Sequence, residues 1–244
     1  MGAGAGGIQA AVNVLVFAAH PDDVVFMCGG TLARFAQAGH RVAMAVFRTG
    51  EEVLPDLPPA RARRVKQEEM RRCAEVIGAT YRLMGCSGLG IPCAEKTRLW
   101  VVEALRQSDP EVIITHDPGD YIRDHRYVAE LVDASAIEAG LAHVQTASPP
   151  CTRLGMVYYM ESVSGLGFTP TDFVDITDVF PVKRRMLECH ESELAPWQGH
   201  PVVDMMEWIE VAARYRGIQA GVRYAEAFRR APMWGRMETK RLLP

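Results

Sequence analysis

The sequence predicts an α/β protein: a Rossmann-like, mainly parallel sheet with helices on both faces, formed by a single domain. Three observations carry that prediction. Short apolar runs alternate with longer charged stretches of helical period. The run Val14–Ala19 is continuously apolar, as in a strand covered on both faces, and Val112–Thr115 reads as a further buried-type strand. No internal repeat or convincing linker divides the 244 residues, a length that one domain accommodates.

In chain order, Val14–Ala19 is the first strand, followed by a helix over Gly30–Ala38 that Gly39 closes. Val42–Phe47 is the second strand. Arg48 to Pro59 carries Gly50, Glu51, Glu52 and three prolines, and is a loop at the same sheet end as His20. Ala60–Ile77 is a charged amphipathic helix stopped by Gly78; its mixed Arg, Lys and Glu residues are expected to form a solvated face. Tyr81–Met84 is a third strand, followed by a Gly-rich loop through Pro92 and a helix over Glu95–Arg106. Val112–Thr115 then leads into a loop from His116 to His125, with a helix over Arg126–Ala139. Met156–Met160 and Phe173–Ile176 are strands; Val179–Glu191 and Val202–Arg216 are helices.

A net charge of −3 argues against a general nucleic-acid binder. Residues 1–9 are expected to be disordered, and they lack the basic region of a signal peptide. No apolar stretch approaches the ~18 residues of a membrane span. Six cysteines are scattered without a CxxC pair, which predicts reduced thiols and a cytoplasmic protein. The Met233–Arg236 segment, aromatic and basic, is expected to cap its own domain or dock on a neighbouring subunit.

Chemistry concentrates in two loops. His20, Asp22 and Asp23 follow the first strand; Asp120, Asp124 and His125 follow the strand Val112–Thr115. In a parallel sheet both loops lie at the carboxyl edge, where their side chains can converge. Two imidazoles and a carboxylate with open positions make a metal site that can hold water. With Pro21 starting a helix, His20 and Asp23 share one face of its first turn, leaving Asp22 free as a base. The alternative is structural: carboxylates near a helix N-terminus stabilise it without any ligand.

The segment Ala19-His20-Pro21-Asp22-Asp23, then Gly29-Gly30-Thr31-Leu32, a helix ending at Gly39, and Asp124-His125 after a later strand resemble the LmbE/PIG-L family. The resemblance is strong over 13–50 and 110–130, extends across Glu69 to Gly78, and is general beyond about residue 150. It implies a zinc-dependent N-deacetylase on a Rossmann-like fold, acting on N-acetylglucosamine-type sugars or conjugates. It further implies His20, Asp23 and His125 as metal ligands and Asp22 as general base. By the same resemblance Asp124 orients the last ligand, and the small-molecule N-acylated substrate is handled by a homo-oligomer, a trimer or hexamer. Fe(II) also suits two histidines and one carboxylate.

Two departures from the family pattern stand out. The second motif commonly reads His-Pro-Asp-His, whose first His helps stabilise the tetrahedral intermediate; here it reads Ile122-Arg123-Asp124-His125. Isoleucine donates no hydrogen bond, so Arg48, His190 or His200 is expected to supply that role, His190 first. The usual Gly-x-Pro-Asp reads Gly90-Ile91-Pro92-Cys93, without the acid. Glu51 is either substrate-facing or a plain loop charge, and His116 is expected to support the site or the core. Three functions follow in order: a deacetylase, an amidase acting on a larger amide, and a metal-binding regulatory module without efficient turnover. A dinucleotide-dependent dehydrogenase is disfavoured because the first loop lacks GxGxxG.

Overall fold

Apolar residues alternate in destination along the first strand, β1 (Asn13–Ala18): Val14, Val16 and Ala18 enter one core, Leu15 and Phe17 the other. A strand buried on both faces must lie inside a sheet. The computed structural model, which describes residues 11–86 and 90–232, places it there. The expected disorder at 1–9 and the Met233–Arg236 segment lie outside the described residues.

The remaining elements are α1 (Asp23–Gln37), β2 (Arg41–Arg48), α2 (Pro59–Val76), β3 (Thr80–Cys86), α3 (Glu95–Ser108), β4 (Val112–His116) and α4 (Arg123–Glu138), followed by β5 (Met156–Met160), β6 (Asp172–Asp175), α5 (Phe180–Glu188), α6 (Glu191–Leu194), α7 (Met205–Ala220) and β7 (Ala225–Arg230). They build a seven-stranded sheet of order β3-β2-β1-β4-β5-β7-β6. The pairs from β3 through β5 are parallel, with Val14 opposite both Val42 and Val112. β7 runs antiparallel between β5 and β6. One core holds residues of α1, α2, α5 and α7, the other of α3 and α4. The chain reverses direction across the sheet between β1 and β4, the switch point at which open α/β sheets bind ligands.

Two expectations need correction, and one strand has no counterpart among the expected elements. The first helix begins at Asp23, seven residues before Gly30, and Pro21 lies in the turn ahead of it. The helix expected over Val179–Glu191 breaks at His190, and α6 continues from there. β7, reading Ala-Glu-Ala-Phe-Arg-Arg, has no apolar run to announce it. Its Glu226 is buried because Lys183 Nζ (2.6 Å) and the backbone N–H groups of Gly30 (2.9 Å) and Thr31 (2.7 Å) all donate to its carboxylate. Lys183 also donates to the Phe26 carbonyl at 2.9 Å. A buried ion pair with every partner in place ties the middle of α1 to β7 and α5.

Lys183→Met should strand the Glu226 charge in the core and lower unfolding stability by about 3–5 kcal/mol; urea unfolding of the variant beside the parent measures it.

Candidate active site

Where β1 ends, the chain turns through His20 and Pro21 into α1. The turn is set by Asp23, whose Oδ2 accepts the His20 backbone N–H at 2.8 Å and lies 3.2 Å from His20 Nδ1. Asp22 holds the N-cap position with helical backbone angles, and its carbonyl accepts the N–H groups of Val25 and Phe26. Its carboxylate makes no capping bond. Asp22 thus stands at the helix N-terminus without spending its carboxylate on a capping bond.

The β4–α4 loop meets this turn from the other side of the switch point. His125 Nε2 stands 3.3 Å from Asp23 Oδ1, and its Nδ1 is 2.9 Å from Asp120 Oδ2. Asp120 Oδ1 accepts the Ile122 N–H, so the loop that carries Asp120 is itself fixed. His116 stacks on His125 with ring centroids 3.9 Å apart, and its Nε2 accepts the Ala19 N–H at 2.9 Å. That bond joins the two loops through the backbone and gives His116 the supporting place expected of it. Asp124 Oδ2 accepts from Arg48 Nη1 at 2.8 Å and lies 3.6 Å from His20 Nε2.

His20, Asp23 and His125 offer ligand atoms that all lie within 4.8 Å of one another. His116, Asp120 and His125 form a second such group, but His116 Nε2 is already engaged by Ala19. The first set fits a divalent ion. His125 Nε2 is buried without a hydrogen-bond partner, a costly position for a polar atom. Its Nδ1 is held by a carboxylate, the arrangement that orients metal-bound histidines.

The members of this donor set are tightly coupled, and an ion would have to displace protons from the two imidazoles. Burial alone would lower His125, but Asp23 and Asp120 outweigh it and raise its pKa to about 10. Burial would lower His20 too, but Asp23 and then Asp22 leave it raised. Burial would raise Asp23, yet His125 and His20 hold it well below the usual carboxylate range. Burial and the stacked His125 push His116 down to about 4, which keeps it a neutral acceptor for Ala19. Burial, Glu193 and Asp23 push Asp22 up to about 7, against the pull of His20 and Lys66.

Lys66 and Glu193 are the residues that sequence reasoning missed. Lys66 belongs to the helix face expected to be solvated, yet it is fully buried. Its Nζ donates to Ser192 Oγ at 3.1 Å and to the Glu193 carboxylate. Glu69, one turn along α2, accepts from both the N–H and the hydroxyl of Ser192. The signal was positional: Ala62, Lys66, Glu69, Met70 and Cys73 occupy one helical stripe, so two charges sit on the buried face.

Other expected residues separate. Arg48 stands beside the cluster, bridging Asp124 and Glu52 (2.6 Å). Glu51 accepts from Arg63 at 2.7 Å in a 3-10 turn. His200 is exposed, and its Nδ1 accepts the N–H groups of Val202 and Val203. His190, the first choice for the missing oxyanion donor, corrects that expectation: it is fully buried at the start of α6 and offers no surface to a substrate.

Comparison with known proteins agrees with the fold. The features define an α/β protein with a His/Asp group at the switch point of its sheet. The chain belongs to the PIG-L family, described as GlcNAc-PI de-N-acetylase, which matches residues 15–136. It is 27% identical over 233 residues to diacetylchitobiose deacetylase of Thermococcus kodakarensis, covering 90% of this chain and 83% of that one. It is also 25% identical over 230 residues to 4-oxalmesaconate hydratase of Pseudomonas putida, covering 88% and 87%. The N,N'-diacetylchitobiose deacetylase of Pyrococcus horikoshii shares the fold, with a TM-score of 0.81, 22% identity, and coverage of 91% of this chain and 85% of that one.

His190 has a stability signature of its own. Both ring nitrogens are buried without partners, and burial, then Lys66 and Arg72, push its pKa from 6.5 down to about 3. The unfolded chain therefore binds a proton that the folded one refuses between those values. The stability tied to this group is complete above pH 6.5 and drains away as pH falls toward 3. Between pH 7 and pH 5, His190→Leu should lose about 2 kcal/mol less than the parent, measured by urea unfolding at both pH values.

Proposed function

We propose that this chain is a divalent-metal-dependent hydrolase that removes an acetyl or other small acyl group from an N-acylated amine. The observation that carries the proposal is the His20–Asp23–His125 donor set with the uncommitted Asp22 carboxylate adjoining it at the sheet's switch point. The family and the diacetylchitobiose deacetylase relative support an N-acetylglucosamine-type sugar or conjugate as substrate.

His20, Asp23 and His125 would hold the ion; their donor types suit zinc and also admit Fe(II). When bound, such an ion supplies Lewis acidity toward the amide carbonyl and the attacking water. Asp22 takes the water's proton as its oxygen bonds to the carbonyl carbon. The same carboxyl returns that proton to the amine nitrogen as the C–N bond breaks, giving a carboxylic acid and a free amine. Asp120 holds His125 in the tautomer whose Nε2 faces the cluster. His116 braces the Ala19–His20 turn. Ile122 contributes no donor, and Arg48 is the cation placed beside the cluster through Asp124 to offset charge developing on the carbonyl oxygen.

Acetate release from a panel of N-acetylglucosamine conjugates and chito-oligosaccharides tests the proposal. Chelation should abolish release and added zinc should restore it. Asp22→Asn should abolish turnover while metal content, measured by mass spectrometry, is retained; metal loss in that variant would remove Asp22 from the role of base. No release from any acetamide would overturn the hydrolase, leaving the metal-binding module or the hydratase-like chemistry of the Pseudomonas relative. Arg48→Met should lower kcat about 100–1000-fold with metal content unchanged, read from single-substrate kinetics on the best substrate of the panel.

A further inference from the structure

Two carboxylates share the buried ammonium of Lys66, and they differ in what they leave open. Glu69 Oε2 lies 3.6 Å from Lys66 Nζ. Both Glu69 oxygens are engaged by Ser192, one by its backbone N–H at 2.7 Å and one by its hydroxyl at 2.6 Å. Those bonds already dock α6 onto α2. Glu193 is the second carboxylate. Lys66 donates to its Oε1, and among the described residues no hydrogen bond or ion pair engages its Oε2. The Glu193 side chain is 15% exposed, against 0% for Lys66. A sealed cation thus fixes one oxygen of a carboxylate whose other oxygen keeps its acceptor sites.

Glu193 belongs to the candidate site by position. A Cβ at Gly50 would stand 3.4 Å from Glu193 Oε1 and 3.4 Å from Lys66 Cε. Gly50, with a φ of 74°, follows β2 by two residues and so lies at the carboxyl edge of the sheet. Arg48, which ends β2, reaches Asp124 beside the metal ligands. No charge acts on Asp22 more strongly than that of Glu193. The carboxylate therefore neighbours both the β2–α2 loop and Asp22. Tying α6 to α2 does not account for it, because Glu69 and Ser192 do that without it.

We infer that Glu193 is a specificity-determining residue that accepts a hydrogen bond from a substrate hydroxyl on the carbon next to the one bearing the scissile nitrogen. This deepens the proposed hydrolase and rests on that reading for one step. Asp22 returns its proton to the nitrogen, which therefore comes within hydrogen-bond reach of Asp22. A carboxylate neighbouring Asp22 then meets what the next carbon carries. Ion-paired to Lys66, it offers acceptors only. An O–H at that carbon is favoured, whereas a bare C–H would desolvate the oxygen and give it no donor. The substrate class is a vicinal acylamino alcohol.

Calorimetric titration of the zinc-loaded chain with glucosamine, 3-deoxyglucosamine and 6-deoxyglucosamine tests this without turnover. All three carry an amine, so its charge cancels in the comparison. Glucosamine should bind at least about tenfold tighter than the 3-deoxy sugar, because the hydroxyl donates to a charged group. The 6-deoxy sugar should bind like glucosamine. Glu193→Gln keeps the side chain's shape and leaves Lys66 with Glu69 and Ser192. Its amide oxygen would face Lys66 and its NH2 would stand where Oε2 was, so the preference for the 3-hydroxyl should vanish. Glu193→Ala, which accepts nothing, should lose it too, and thermal melting shows that each variant is folded. The parent's own preference decides the matter if a variant fails to fold. Equal binding of glucosamine and its 3-deoxy analogue, no measurable binding of glucosamine, or a preference that survives Glu193→Gln overturns the inference. Acetate release from N-acetylglucosamine conjugates rules separately on the hydrolase: release without the preference leaves the hydrolase standing and the role of Glu193 refuted.

Discussion

The Asp23 carboxylate is the constraint on which the site depends. One oxygen accepts the His20 backbone N–H and approaches the rings of His20 and His116; the other faces His125. Three imidazoles from two distant loops are thereby gathered around one negative charge. The arrangement is stable only because the sheet brings β1 and β4 together in register, Val14 against Val112. Sequence distance between the loops is bridged by strand pairing, and the chemistry inherits the rigidity of the sheet.

Around this centre, buried charges do the holding. Asp120 fixes His125, Arg48 and Asp124 link β2 to α4, and Lys66 with Glu69 docks α6 onto α2. Each charge is paired or hydrogen-bonded, as buried charges must be. His190, kept neutral by burial, adds two orphaned nitrogens to the unpartnered Nε2 of His125.

How much was legible in the sequence follows from what kind of force places each residue. His20, Asp23 and His125 were legible because they follow buried apolar strands, and parallel strands send their loops to one edge. The βα rhythm was legible for the same reason. Glu226, Lys66 and Glu193 were not, because charged residues default to the surface and only their partners, far along the chain, reverse that default. The start of α1 was misplaced because Gly29-Gly30 looks like a helix boundary; in the fold those glycines lie inside the helix. A Cβ at Gly30 would approach Ile176 to 2.8 Å, so the residue serves close packing there.

The reach of Glu226 has a consequence for cooperativity. Residues 15–136, which match the family, include His20, Asp22, Asp23 and His125. Yet the helix that starts at Asp23 has its middle amides bound by a side chain almost two hundred positions later. That closure is among the longest-range contacts of the described residues, and pairings so distant in sequence slow folding. A nascent or truncated polypeptide that carries His20, Asp22, Asp23 and His125 but lacks β7 would therefore also lack the carboxylate that grips the helix beneath them.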